Sequence, residues 1–292
     1  MLNYAFLTAA VILFGLQFRF NQTYEREQGG GLAAAIRFIF YHSLFGLAVL
    51  VVIDLALASG IPGGVRAGDL PFPLLMAAMC TLDAIGYSYC SIMALGKVNL
   101  SLYAVFAMIG GMALPFAVGL FFGEPLTTGK ILCLVIVTAA VLVTLNPKEK
   151  TRGLGWCLGV FVFNGMSGVI AKIYSAVQLP KVSDELYSVL CAAVTAAVAG
   201  VWLLFIKGEK KRMTKKAVLS CLGFGAFNRV ANLLVLISLS SIPATAQYPF
   251  ITGGVIIVST VIALLTKQKP TKTEWVSMAL SIAGLTVLLI VR

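Results

Sequence analysis

Residues 82–145 read LDAIGYSYCSIMALGKVNLSLYAVFAMIGGMALPFAVGLFFGEPLTTGKILCLVIVTAAVLVTL. This stretch has a gap-free counterpart 145 positions further on: Pro125 falls on Pro270, Thr128 on Thr273, Tyr103 on Tyr248 and Ile92 on Ile237. Identities are few, but apolar run falls on apolar run and turn on turn. The chain therefore reads as a duplicated membrane unit.

Composition sets the class independently. Of 292 residues, 60% are hydrophobic and only 11% are charged, whereas a soluble domain is roughly 25% charged. A net charge of +11 would suggest nucleic acid in a soluble protein. Here the basic residues cluster between apolar runs, where they anchor loops against anionic headgroups; nucleic-acid binding is excluded. Cys80, Cys90, Cys133, Cys157, Cys191 and Cys221 all lie in apolar runs without CxxC spacing and read as small packing residues. With His42 as the single histidine, no metal site is expected. No cofactor motif is present. Met1 to Phe20 lacks a basic leader and a cleavage site and is expected to be a retained first helix.

A bilayer core needs about 20 apolar residues per helix. Ten runs qualify, near Leu2–Phe20, Leu32–Ala58, Pro71–Leu95, Leu100–Phe122, Ile131–Leu145, Leu154–Tyr174, Leu186–Ile206, Ala217–Leu239, Ala244–Thr266 and Trp275–Val291. Short turns separate them, and none is long enough for a soluble domain. The expected fold is all-α and integral to the membrane: ten transmembrane helices in two five-helix repeats, residues 1–146 and 153–292. An odd number of crossings per copy inverts the second copy, which places a central cavity near the midplane between the halves. Lys148, Lys150 and Arg152, then Lys207, Lys210, Lys211, Arg212, Lys215 and Lys216, then Lys267, Lys269 and Lys272 all fall on one side. The other side offers Arg66, Lys130 and Lys181. The positive-inside rule makes the rich side cytoplasmic and puts both termini outside. The expected location is a plasma membrane, the inner membrane of a bacterium.

ALGKVNLSLYA (94–104), GEPLTTGK (123–130), Arg37 within AAIRFIFY (34–41) and LSSIPATAQYPF (239–250) resemble the EamA-type branch of the drug/metabolite transporter superfamily. The resemblance covers nearly the whole chain. It implies secondary transport of small organic molecules through a cavity between inverted halves, and termini in the cytoplasm, against the charge count. One departure concerns Glu124, answered in the second copy by Lys269 where the family repeats a glutamate. No paired role is expected for those positions.

Ionisable groups inside a span cost a few kcal/mol and mark function or internal pairing. Asp83 is the carboxylate near the middle of the third run, and Arg229 lies mid-way along the eighth. The shift puts Asp83 on Asn228, next to Arg229. Two readings stand side by side: an Asp83–Arg229 ion pair locking the halves, or joint binding of a zwitterion with the arginine fork on a carboxylate. Asp83 and His42 are the candidates for coupling transport to protons. Tyr87, Tyr103, Asn164, Asn228, Asn232, Gln247 and Tyr248 are candidates for the substrate pocket. Gln17, Arg19 and Asn21 follow one another at every second residue near the end of the first helix, and Arg37 and Lys172 lie near helix ends. The arginines and the lysine are expected to reach the interface or, facing inward, to make the cavity positive and suited to an anionic or amphoteric metabolite, with Asp54 at an interface. Gly110, Gly111, Gly253 and Gly254 are expected to permit close helix contact, and Pro115, Pro243 and Pro249 to bend helices four and nine.

The expected function is secondary-active export of a small organic metabolite, amino acid-like or otherwise anionic or zwitterionic, by alternating access. The partners are that solute, the lipid bilayer and protons as candidate coupling ion. The alternatives are a membrane-embedded enzyme or a non-transporting membrane protein. The first lacks any HExxH, aspartate pair or Ser/His dyad, and no nucleotide-binding motif supports ATP-driven transport.

Overall fold

In lipid, a backbone amide finds no water, so a spanning segment satisfies its own hydrogen bonds as a helix. The computed structural model follows that rule and describes residues 2–29, 31–56, 66–95, 97–98, 100–145, 153–206, 212–265 and 271–291. Among the described residues there are no strands. The helices are α1 (Leu2–Gln28), α2 (Leu32–Ala56), α3 (Pro71–Leu95), α4 (Leu100–Phe121), α5 (Thr128–Leu142), α6 (Leu154–Ala176), α7 (Asp184–Phe205), α8 (Lys215–Leu239), α9 (Ala244–Leu265) and α10 (Lys272–Ile290), with a short 3-10 turn at Ala67–Asp69. Eight of them are long and apolar enough to cross a bilayer. The apolar part of α1, Asn3–Gln17, and α5 are shorter; the 15 residues of α5 rise only about 22 Å.

Polar caps set several entries. Thr127, Ser183 and Thr214 accept from the backbone N–H three residues on, starting α5, α7 and α8. Thr271 and Glu274 form a reciprocal capping box at the start of α10. Leu75, Leu82, Leu204, Leu265 and Leu289 stand exposed on the outer faces, as lipid-facing positions should.

The helices of the two halves interleave. α1 packs on α8 and α9, α2 on α7 and α8, α3 on α6 and α7, α4 on α6 and α9, and α5 on α10. Replacing each helix by the one five places later carries these pairs onto themselves, although α9 also packs on α10 far more closely than α4 does on α5. Glycines make the tightest crossings. A Cβ on Gly165 would lie 2.5 Å from the Gly110 carbonyl oxygen and 2.6 Å from Leu114. One on Gly110 would overlap the Phe161 carbonyl, and one on Gly225 the carbonyl of His42. Gly111 lies against Asn164 and Gly254 against Val11, so these expected contacts are real. Pro115 and Pro249 lie inside α4 and α9, and Pro243 just before α9.

The basic loop residues Lys148, Lys150, Arg152, Lys207, Lys210, Lys211, Lys267 and Lys269 lie outside the described residues, as do the side chains of Arg19 and Asp54.

Gly165→Ala should therefore force α4 and α6 apart at a cost of about 1–3 kcal/mol. Gly155, where an added Cβ would meet nothing within 4 Å, should accept alanine without loss. Thermal unfolding of the two variants in the same detergent compares them directly.

Candidate functional site

The middle of the bundle holds ionisable groups that the packing leaves unsatisfied. Arg229, half-buried on α8, lays its stem across Gly46 of α2, where a Cβ would lie 2.5 Å from the arginine Cγ. Its Nη2 donates to Ser43 Oγ at 3.1 Å, while its Nε is buried without a partner. His42, beside Ser43, is wedged between the rings of Phe38 and Phe224 at 4.9 and 5.0 Å, and its Nδ1 is likewise unpartnered. Asp83 on α3 is buried, and its Oδ1 has no partner. No ion pair joins Asp83 to Arg229. Near-equivalent places in two copies do not bring two side chains together. The Gly46 hollow and the Ser43 hydroxyl draw the arginine onto α2, whereas α3 packs on α6 and α7.

Between α3 and α7, Thr81 Oγ1 and Thr195 Oγ1 share a hydrogen bond of 3.1 Å, and Cys80 Sγ lies 3.4 Å from Tyr187 Oη. Cys80, Cys191 and Tyr187 also lie within electrostatic reach of Arg229.

The other pocket candidates fall into separate groups. Tyr87 and Tyr103 share a hydrogen bond of 2.8 Å, with Ser91 Oγ 3.0 Å from the Tyr103 hydroxyl. Asn164 donates to the Ala107 carbonyl at 2.6 Å, tying α6 to α4. Asn228 donates to Gln17 Oε1 at 3.0 Å, so Gln17 is buried between α1 and α8. Asn232 donates to the Asn228 carbonyl and is exposed, although it shares the α2-facing side of α8 with Gly225. Ser167 is also exposed, about 140° round α6 from the lipid-facing Val162. Gln247 and Tyr248 stand apart, near the start of α9. There they donate to the carbonyls of Val235 and Gly168 at 2.8 and 3.1 Å.

That end of the bundle holds an arrangement the sequence reading missed. Glu124, in the turn after α4, accepts from the backbone N–H of Ala244 on Oε1 and of Thr245 on Oε2, each at 2.8 Å. The same carboxylate pairs with Lys172 of α6. Lys172 is thus buried in an ion pair and does not reach the interface as expected. Glu124 has a paired role after all, with Lys172 as partner; Lys269 lies outside the described residues. Burial pushes the Glu124 carboxyl up, but the Lys172 ammonium and the Thr245 and Ala244 amides outweigh it and hold the group below the usual carboxylate range. One sequence signal was available. α9 follows Pro243, which has no side-chain acceptor, so its first N–H groups need one from elsewhere.

Chemically, the centre offers a guanidinium, a carboxyl and an imidazole with bonding capacity left over, on helices of both halves. No group of three metal-ligating side chains occurs among the described residues. Residues 151–290 match the model of the EamA-like transporter family. A solved structure, described only as a crystal structure of a protein, is similar with a TM-score of 0.76 at 15% identity, over 99% of this chain and 98% of that one. At that identity the likeness speaks to the fold alone. No curated protein matches the chain.

Removing one partner of a buried pair costs about 3–5 kcal/mol, so Glu124→Ala should lower the unfolding temperature well beyond a surface substitution. Because the Glu124 pKa is depressed in the fold, its contribution is complete above the ordinary carboxylate pKa of about 4.3 and fades as pH falls below it. The melting difference between wild type and variant, followed from pH 7 into acid, should shrink in that window.

Proposed function

We propose that this multi-pass membrane protein is a member of the EamA-like transporter family, whose model residues 151–290 match, and a secondary-active exporter of a small zwitterionic or anionic metabolite. It works by alternating access between two inverted five-helix units, residues 1–146 and 153–292. The exchange of packing pairs under a five-helix step supports the repeat, and the family match to the second unit supports its boundary. On this reading α1 and α5 also cross the membrane, giving ten spans around a central cavity.

The observation that carries the reading is the set of buried, unpartnered atoms at mid-bundle: Arg229 Nε, Asp83 Oδ1 and His42 Nδ1. A buried polar atom without a partner costs about 1–3 kcal/mol, and more when charged. A solute that supplies the missing partners recovers that cost on binding. Arg229 takes the carboxylate, as a planar guanidinium does best. Asp83 faces the cationic end of the solute or carries the coupling proton, with His42 as second proton carrier. The exposed Asn232 and Ser167 supply a wet approach between the halves, and Tyr87, Tyr103, Asn164 and Asn228 supply its walls. Tyr248 and the amide nitrogen of Gln247 are spent on backbone carbonyls and close one end, where Gln247 Oε1 keeps a free acceptor. The charge bias places both termini outside a bacterial inner membrane; tag accessibility at either end checks that orientation.

Purified protein in proteoliposomes, challenged with a metabolite panel with and without a pH gradient, tests the proposal. One class of zwitterionic or anionic solute should move. Arg229→Gln should slow it at least about tenfold, the worth of one charged hydrogen bond. Asp83→Asn should abolish the response to the gradient. Wild-type behaviour of both variants, or lipid modification in place of flux, would sink it.

A further inference from the structure

We propose that the Glu124 junction is a latch: it holds one mouth of the transporter shut and releases when that mouth opens. The inference rests on the alternating-access reading, because a static bundle needs no latch. Glu124 belongs to the turn leaving α4 of the first half, while Lys172 belongs to α6 and Ala244 and Thr245 to α9 of the second. One carboxylate thus joins three elements from opposite halves at a single end. The junction is built for it. Gly119 leaves room for the carboxylate to fold back on α4, since a Cβ there would lie 2.7 Å from Oε2 and 3.1 Å from Thr245 Cγ2. Phe122 presents its ring to the Lys172 ammonium at 5.9 Å, and Lys130 fixes the turn by donating to the Pro125 carbonyl at 2.7 Å.

Three features suit this contact to a switch. Its bonds are polar and come from a short turn, so they break together when the turn moves. Each partner has water to turn to once the mouth is wet: the freed ammonium, the carboxylate and the two amides all hydrate. The Ala246 and Gln247 amides of α9 bond to the Pro243 carbonyl, but Pro243 has no side-chain acceptor for the two before them, so the Ala244 and Thr245 amides are capped by Glu124. The bonds beneath it, Tyr248 to the Gly168 carbonyl and Gln247 to the Val235 carbonyl, stay within the second half. They hold α9 to α6 and α8 and do not bridge the halves. Across the halves at this end Ser238 Oγ also donates to the Asn3 carbonyl at 3.2 Å, but among the described residues Glu124–Lys172 is the ion pair that bridges them.

The test needs no known substrate. Spin labels at Leu126 and Ser240, both exposed and on opposite halves, report the width of this mouth in the full chain in proteoliposomes. Labels at Lys97 and Lys216, both exposed, report the opposite end; unlabelled native cysteines provide the background. Glu124→Gln keeps the shape and removes the charge. Lys172→Met keeps the cap on α9 and removes only the ion pair. Each should shift the Leu126–Ser240 distances toward a longer population, about tenfold in open-to-closed ratio for the first and less for the second. If the Lys97–Lys216 distances shorten at the same time, both the latch and alternating access stand. If they stay fixed while the near mouth widens, Glu124 holds that end together but alternating access falls, and the latch with it. If the Leu126–Ser240 distances are unchanged in both variants, the latch is overturned. Should Glu124→Gln not fold, Lys172→Met decides by the same distances.

Discussion

A helix that starts inside or at the edge of a bilayer has four N–H groups with no partner in its own backbone. At α5, α7, α8 and α10 a threonine or serine solves this locally. α9 cannot, since Pro243 stands at its threshold. The acceptor comes from the other half of the molecule, as the Glu124 carboxylate. A charge placed there must itself be neutralised, and Lys172 is buried to do it. A single missing cap on one helix therefore fixes the geometry of a turn, an ion pair and the contact between halves.

The centre of the bundle follows the opposite rule. There the packing leaves Arg229, Asp83 and His42 each with an unspent atom, although an ion pair between the first two would have removed part of the cost. Two helices separate them: α2 holds Arg229 through Ser43 and the Gly46 hollow, and α3 keeps Asp83 against α6 and α7. Stability alone would favour apolar residues at all three positions, since breaking or orphaning buried charges is what destabilises proteins most. Their unspent atoms are what the proposed binding of a charged solute would satisfy.

The scaffold was legible in the sequence because hydropathy and glycine spacing are local signals. The runs fell on helices, and Gly110, Gly111 and Gly254 fell at crossings. The end of α1 was misjudged: the helix runs on to Gln28 through the polar stretch after Phe20, which hydropathy does not mark. Pairing was not legible. A side chain's partner depends on helix rotation and on which element packs where, and neither shows in a run of apolar letters; hence the expected Asp83–Arg229 pair and the unexpected Glu124–Lys172 pair. The latter did leave a trace. Under the 145-residue shift Glu124 falls on Lys269 and Lys172 on Glu27, so both positions change sign together between the copies. Isolated surface charges have no reason to exchange in step, whereas members of one pair do.

The same shift explains why the centre is asymmetric. It places Cys191 on Gly46 and Cys80 on Gly225, so the α3–α7 crossing is the counterpart of the α2–α8 crossing. In the latter both positions are bare, and a Cβ on Gly225 would overlap the His42 carbonyl. The missing Cβ at Gly46 leaves the place that the stem of Arg229 occupies. At α3–α7 each position carries a thiol, with the Cys80 sulfur against Tyr187, and the place of Arg229 is taken by Ala84. At the α2–α8 crossing, bare at Gly46 and Gly225, the stem of Arg229 lies against α2, while the 145-residue shift puts thiols in the matching places at α3–α7.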